Sequence, residues 1–138
     1  MPKRNNVVID TGVLVSAFAF GGIPLRALQK SFKESTIFVS PQLLHEYREV
    51  PLVLYAEGKI NDEQLRSLIS GIAAFVSKAK VVDPVKKINI CRDKEDNILI
   101  ECCVAAHAEF LITGDKDLLS IDILPFKLKI VTPRQFIY

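Results

Sequence analysis

Short apolar runs alternate along this chain with longer stretches in which apolar residues recur every three or four positions. The short runs are typical of buried β-strands, and the longer stretches are typical of helices that bury one face. We predict strands over residues 6–10, 36–39, 80–82, 109–113 and 128–131. Regular alternation of strands and helices predicts an α/β fold, a three-layer α/β/α sandwich around a mostly parallel four- or five-stranded sheet.

Start and stop signals give approximate bounds for the helices. Ser40-Pro41 is a strong start signal, because serine can cap free N–H groups and proline lacks the one that would be wasted. Pro51 is expected to kink or split the helix that starts there. We predict helices over residues 11–20, 25–32, 41–50, 52–60, 61–79 and 98–108, with helical turns over 115–120 and 133–137.

The composition indicates one soluble domain. A length of 138 residues with 49% apolar residues suits one domain, residues 1–138, with one hydrophobic core. A net charge of +2 does not by itself indicate nucleic-acid binding. Three cysteines without a CxxC pair favour a reducing, cytoplasmic setting. No uninterrupted apolar stretch approaches the ~18 to 20 residues of a membrane span, so we expect no membrane partner.

Acidic residues follow four of the predicted strands. Asp10 ends the first, Glu46 lies one turn into the helix after the second, Asp93 and Asp96 follow the third, and Asp115 follows the fourth. Each could be a helix cap or a solvated side chain when taken alone. Parallel strands bring these positions to one edge of the sheet. Two like charges about 4 Å apart repel by about 4 kcal/mol at an effective dielectric constant of about 20. The joint pattern therefore predicts a cation site.

Oxygen ligands without histidine or thiolate suit Mg²⁺ or Mn²⁺ and disfavour zinc. Such ions polarise phosphates and activate water, so hydrolysis of a nucleic-acid backbone is the chemistry that fits best. Basic residues near the acids are candidates for guiding this substrate. These candidates are Arg92, Lys94, Lys116, Arg26 and Arg48.

Four segments, in order along nearly the whole chain, resemble the PIN-domain nucleases, especially the prokaryotic branch known as toxins of toxin-antitoxin pairs. They are VVIDTGVLVSA (7–17), SPQLLHE (40–46), DKEDN (93–97) and LITGDKDLL (111–119). The resemblance implies a PIN-like fold and a metal-dependent ribonuclease that forms a homodimer and is blocked by an antitoxin protein.

The resemblance also implies which residues hold the metal: Asp10, Glu46, Asp96 and Asp115, with Asp117 as an accessory. For the third acid the sequence leaves Asp93, Asp96 and Asn97 open, and we choose Asp96. The chain departs from the family at Gly12, where members often carry asparagine or serine.

Two other interpretations stay open. The chain could be a catalytically inactive PIN-like module that binds RNA or protein. A phosphatase of the aspartyl-phosphate type also begins with a strand that ends in aspartate, but its general acid normally follows two residues later, where this chain has Gly12. Stabilisation by divalent metal would support the nuclease over the inactive module, and a trapped phospho-enzyme would support the phosphatase.

Overall fold

Five parallel strands form the centre of the computed structural model, which describes residues 4–122, 124 and 126–138. The strands are β1 (Asn5–Ile9), β2 (Ser35–Val39), β3 (Lys80–Val81), β4 (Phe110–Ile112) and β5 (Lys129–Val131). Their order across the sheet is β3-β2-β1-β4-β5, and all neighbours pair in parallel. The predicted parallel sheet is confirmed, with five strands. Residues 1–3, 123 and 125 of the predicted domain lie outside the described part.

Helices connect the strands and flank the sheet as an α/β/α sandwich, as predicted. They are α1 (Thr11–Phe20), α2 (Gly22–Glu34), α3 (Pro41–Ala56), α4 (Asp62–Ser77), α5 (Lys94–Ala106), α6 (Lys116–Leu119) and α7 (Pro133–Ile137). No single helix in the described ranges is long and apolar enough to cross a membrane. The pair α1 and α2 passes that test together on length and composition, but it is bent by 113° at its break.

Two helix predictions need correction. Of the kink or split predicted at Pro51, the split is wrong, because α3 runs as one helix from Pro41 to Ala56. Leu43, Tyr47 and Pro51 are buried at successive four-residue steps, so core packing holds the helix together through the proline. Helix α5 begins at Lys94 rather than at 98, because the Asp93 carboxylate accepts a hydrogen bond from Glu95 N (3.0 Å) and caps an acidic first turn.

The core forms on both faces of the central strands. Val7, Val8 and Ile9 of β1 are fully buried, as are the last two residues of β4. Helix α1 packs against α4 at Gly71, where an added Cβ would lie 2.5 Å from Phe18 Cγ. The carboxyl ends of β1 and β4 lie side by side in the sheet and form the edge at which the site lies.

Candidate metal centre

Asp10 is fixed at the carboxyl end of β1 by contacts to β4. Its backbone N–H donates to Ile112 O (3.0 Å), which joins the ends of the two strands. The Thr113 hydroxyl donates to Asp10 Oδ2 (2.6 Å) and accepts from Asp115 N (3.0 Å). One fully buried hydroxyl therefore positions both the first and the fourth predicted acid.

Glu46 reaches the same edge because α3 is fastened to β1. Ser40 caps the helix and accepts from Leu43 N (3.1 Å), as its sequence signal predicted. The buried Tyr47 hydroxyl donates to Ile9 O, the carbonyl just before Asp10. Glu46 is half-buried, and the charges of Asp10 and Asp96 act on it.

Two polar atoms of this edge are buried without a hydrogen-bond partner among the described residues: Glu46 Oε2 and Thr11 Oγ1. The Thr11 hydroxyl lies near the Glu46 carboxylate and lowers its pKa, although the pair does not reach hydrogen-bond geometry. A buried carboxylate oxygen without a partner costs free energy, and a bound cation would remove that cost.

Asp96 lies in the first turn of α5 and is only 7% exposed. Carboxylate oxygens of Asp96, Asp115 and Asp117 lie within 4.8 Å of one another. Two oxygens bound to one ion lie at most about 4 Å apart for Mg²⁺ and about 5 Å apart for Ca²⁺, so a spacing of up to 4.8 Å is compatible with a shared cation and is at the wide end for Mg²⁺. Of the alternatives for the third acid, Asn97 is engaged elsewhere, because its Oδ1 accepts from Ile90 N (3.2 Å) and Cys91 N (2.9 Å). Asp93 serves as the cap of α5.

Burial, together with repulsion between the acids, raises the pKa of three of them. Burial raises the pKa of Asp10, against the opposing hydrogen bond from Thr113. Burial, with the charges of Asp10, Glu95 and Asp96, raises the pKa of Glu46 to about 7. Burial and the charges of neighbouring aspartates raise the pKa of Asp96 to about 6. Salt bridges within the described ranges, Lys30 to Glu34 and Lys59 to Glu57, involve none of these acids.

The donor set fits a hard divalent cation. Every candidate ligand is a carboxylate, the choice that suits Mg²⁺ or Mn²⁺ and not zinc. The positive ends of α1, α3 and α5 lie at this edge and offset part of the negative charge. Near Asp10, an added Cβ at Gly12 would meet nothing within 4 Å, so open space lies close to the first acid.

The predicted basic residues fall into two groups. Arg92, Lys94 and Lys116 are exposed and adjoin the acids along the chain. Arg26 and Arg48 do not join them: the Arg26 guanidinium lies 5.9 Å from the Tyr138 ring centre, and Arg48 lines a groove between α3 and α4, about half a turn away from Glu46.

Sequence reasoning missed Thr11 and Thr113. The signal that could have found them is a β-branched hydroxyl residue beside an acid at a strand end. Thr113 stands at the end of β4, two residues before Asp115, and Thr11 directly follows Asp10.

Comparison with known proteins agrees with this architecture. Residues 6–117 match the PIN domain family. The chain is 34% identical to the uncharacterized protein MJ1680 of Methanocaldococcus jannaschii, covering 95% of this chain and 88% of that protein.

Two crystal structures share the fold. One is VapBC2 from Rickettsia felis bound to a DNA fragment from its promoter (18% identity, TM-score 0.58, 91% of this chain and 98% of that chain). The other is PAE2754 from Pyrobaculum aerophilum (14% identity, TM-score 0.62, 96% of this chain and 88% of that chain). With most of its length matched in sequence and fold, the chain belongs to the PIN domain family.

Proposed function

We propose that this PIN-domain protein is a ribonuclease that depends on Mg²⁺ or Mn²⁺ and hydrolyses RNA phosphodiester bonds. The observation that carries the proposal is the convergence of acids from separate strand ends. Asp96, Asp115 and Asp117 share one small volume, and Asp10 and Glu46 are electrostatically coupled to it. Without a cation, this arrangement has repulsion and a buried oxygen without a partner.

Asp10, Glu46, Asp96 and Asp115 would hold the metal, with Asp117 and Asp93 as accessories. The bound ion supplies a Lewis acid for a phosphate oxygen and an activated water as nucleophile. Thr113 holds Asp10 and Asp115 in place, and Tyr47 fixes the helix that carries Glu46.

The substrate reaches the site past basic side chains. Arg92, Lys94 and Lys116 are exposed and adjoin the acids along the chain, so they would attract the phosphate backbone. Their number is small, which suits a short, single-stranded contact more than a long duplex.

The cellular role that we propose is that of a toxin in a toxin-antitoxin pair. Support comes from the resemblance of the four acid-bearing segments to that branch of the family and from the shared fold with the VapBC2 structure. We infer a cytoplasmic homodimer whose site is blocked by an antitoxin protein. Induced expression in a bacterial host should then stop growth for the wild type and not for Asp10→Asn.

Incubation of varied RNAs with Mn²⁺ tests the enzymatic proposal. The wild type should cleave, and addition of EDTA or the substitution Asp10→Asn should abolish cleavage. Asp62→Asn is the matched control, because Asp62 is an exposed aspartate at the start of α4, outside the cluster. Full activity of Asp10→Asn would reject the assignment of the acids. Binding without cleavage by the wild type would support the inactive module instead.

A further inference from the structure

A cavity of about 390 Å³ opens beside Glu46, between α3 and the first turn of α5. Its volume lies within the range of small-molecule sites. Val50 and Leu54 of α3 and Ile98 of α5 contribute apolar wall. The cavity therefore offers a largely apolar surface next to the proposed metal centre.

The cavity is continuous with the acid cluster through Glu46. Glu46 lines the cavity and is also a proposed metal ligand. Glu49, one helical turn further along α3, and Glu95, from the first turn of α5, lie on the same lining. Glu95 is close enough to Glu46 for their charges to repel. When a substrate is held at the metal centre, the part of the substrate next to the reacting bond would therefore lie at the opening of this cavity.

The polar residues that line the cavity indicate which kind of chemical group would bind in it. They are carboxylates together with the Gln42 amide and the His45 imidazole, and none of the described lining residues is a lysine or an arginine. Carboxylates accept hydrogen bonds and repel phosphate. The complementary ligand combines apolar surface with N–H donors along one edge, and an unstacked nucleobase has both.

We propose that this cavity holds the nucleobase that adjoins the cleaved phosphodiester, with guanine preferred. The inference rests on the proposed ribonuclease function. Guanine presents two neighbouring N–H donors on its Watson–Crick edge, and one carboxylate can accept both. Glu49 and Glu95 are the residues assigned to this contact, because neither belongs to the proposed metal set.

Binding of short RNAs tests the inference without requiring cleavage. The probes are four fluorescent nine-nucleotide oligouridines with G, A, C or U at the centre, and the protein is Asp10→Asn with Mn²⁺. We expect the guanine probe to bind about 10-fold to 100-fold more tightly than the others, the discrimination typical of a bidentate base contact. Glu49→Gln and Glu95→Gln are then each added to the Asp10→Asn protein. At least one of these two substitutions should remove most of the preference for guanine.

Glu63→Gln is the matched control, because Glu63 is an exposed glutamate on α4 that does not line the cavity. It should keep the preference. Equal binding of all four probes, or a guanine preference that survives the double substitution Glu49→Gln with Glu95→Gln, would overturn the inference. If the double substitution instead weakens only the binding of an arginine-containing peptide, the cavity takes a basic side chain and the nucleobase assignment fails.

Cleavage of the same probes by protein with Asp10 intact separates this inference from the function on which it rests. Cleavage without base preference leaves the ribonuclease standing and rejects the guanine site. A guanine preference that depends on Glu49 or Glu95, without cleavage of these probes or of the varied RNAs, supports the cavity and rejects the ribonuclease.

Discussion

Replacing Glu46 by glutamine should stabilise the metal-free protein at pH 8. The pKa of Glu46 is raised from 4.5 to about 7, chiefly by burial. Between these two pKa values the folded state keeps a proton that the unfolded chain has released. The free energy of unfolding therefore falls as the pH rises from 4.5 to about 7. This contribution to stability is fully present below about pH 4.5 and lost above about pH 7.

The magnitude follows from the two pKa values. At about 1.4 kcal/mol for each pH unit, the difference corresponds to about 3 kcal/mol. Because Glu46 is only half-buried, solvent screening reduces this to about 2 kcal/mol. Glutamine cannot ionise, so Glu46→Gln should raise Tm by about 6 °C at pH 8. At pH 5 the gain should shrink to well under about 1 kcal/mol, because the wild type then holds its proton.

Thermal unfolding followed by circular dichroism, with EDTA present, measures this difference at both pH values. Glu63→Gln serves again as the control: Glu63 lies in the first turn of α4, so the substitution should change stability by less than about 1 kcal/mol, and by nearly the same amount at both pH values. A gain for Glu46→Gln that is equal at pH 5 and pH 8, or a loss at pH 8, would refute the account of Glu46 as a repelled, partly desolvated carboxylate.

Further expectations concern packing, positioning and metal. Gly71→Ala should destabilise the fold by about 1 to 3 kcal/mol in denaturant unfolding, because its Cβ would overlap the Phe18 ring; an unchanged midpoint would contradict the packing of α1 on α4. Thr113→Val should cost about 1 to 3 kcal/mol and weaken Mn²⁺ binding in calorimetry, since Asp10 loses a hydrogen bond, and Thr113→Ser should restore both. The rise in Tm caused by Mn²⁺ should be larger at pH 8 than at pH 5, because Asp96, with a pKa of about 6, must release its proton to bind; an equal rise would argue against coordination by these acids.

The order of elements could be predicted because local patterns dictate it. Apolar runs and cap signals such as Ser40-Pro41 placed the strands and most helices close to their observed bounds. The helix through Pro51 could not be predicted, because burial of its ring is a tertiary effect that overrides the local cost of proline.

The candidate site was predictable in outline and not in detail. Parallel strands bring the acids to one edge, so strand ends were sufficient to place Asp10 and Asp115. A local signal marks Thr113 as a candidate, but its hydrogen-bond partner Asp10 lies 103 positions away, and only the folded structure identifies that partner. The positions of Arg26 and Arg48 depend on the direction of each helix face, and only the packed structure determines that.

The anchoring of Tyr47 to the last carbonyl of β1 ties the helix that carries Glu46 to the strand that precedes Asp10. The separation between Asp10 and Glu46 is therefore set by a contact in the buried core. The segment from 82 to 93, which precedes the third acid, has no regular helix or strand and lies mostly at the surface. Backbone N–H groups of this segment donate to Asn97 and Glu101 of α5. A change in its length would therefore act first on the helix that carries Asp96, and Asp10 and Glu46 would keep their spacing.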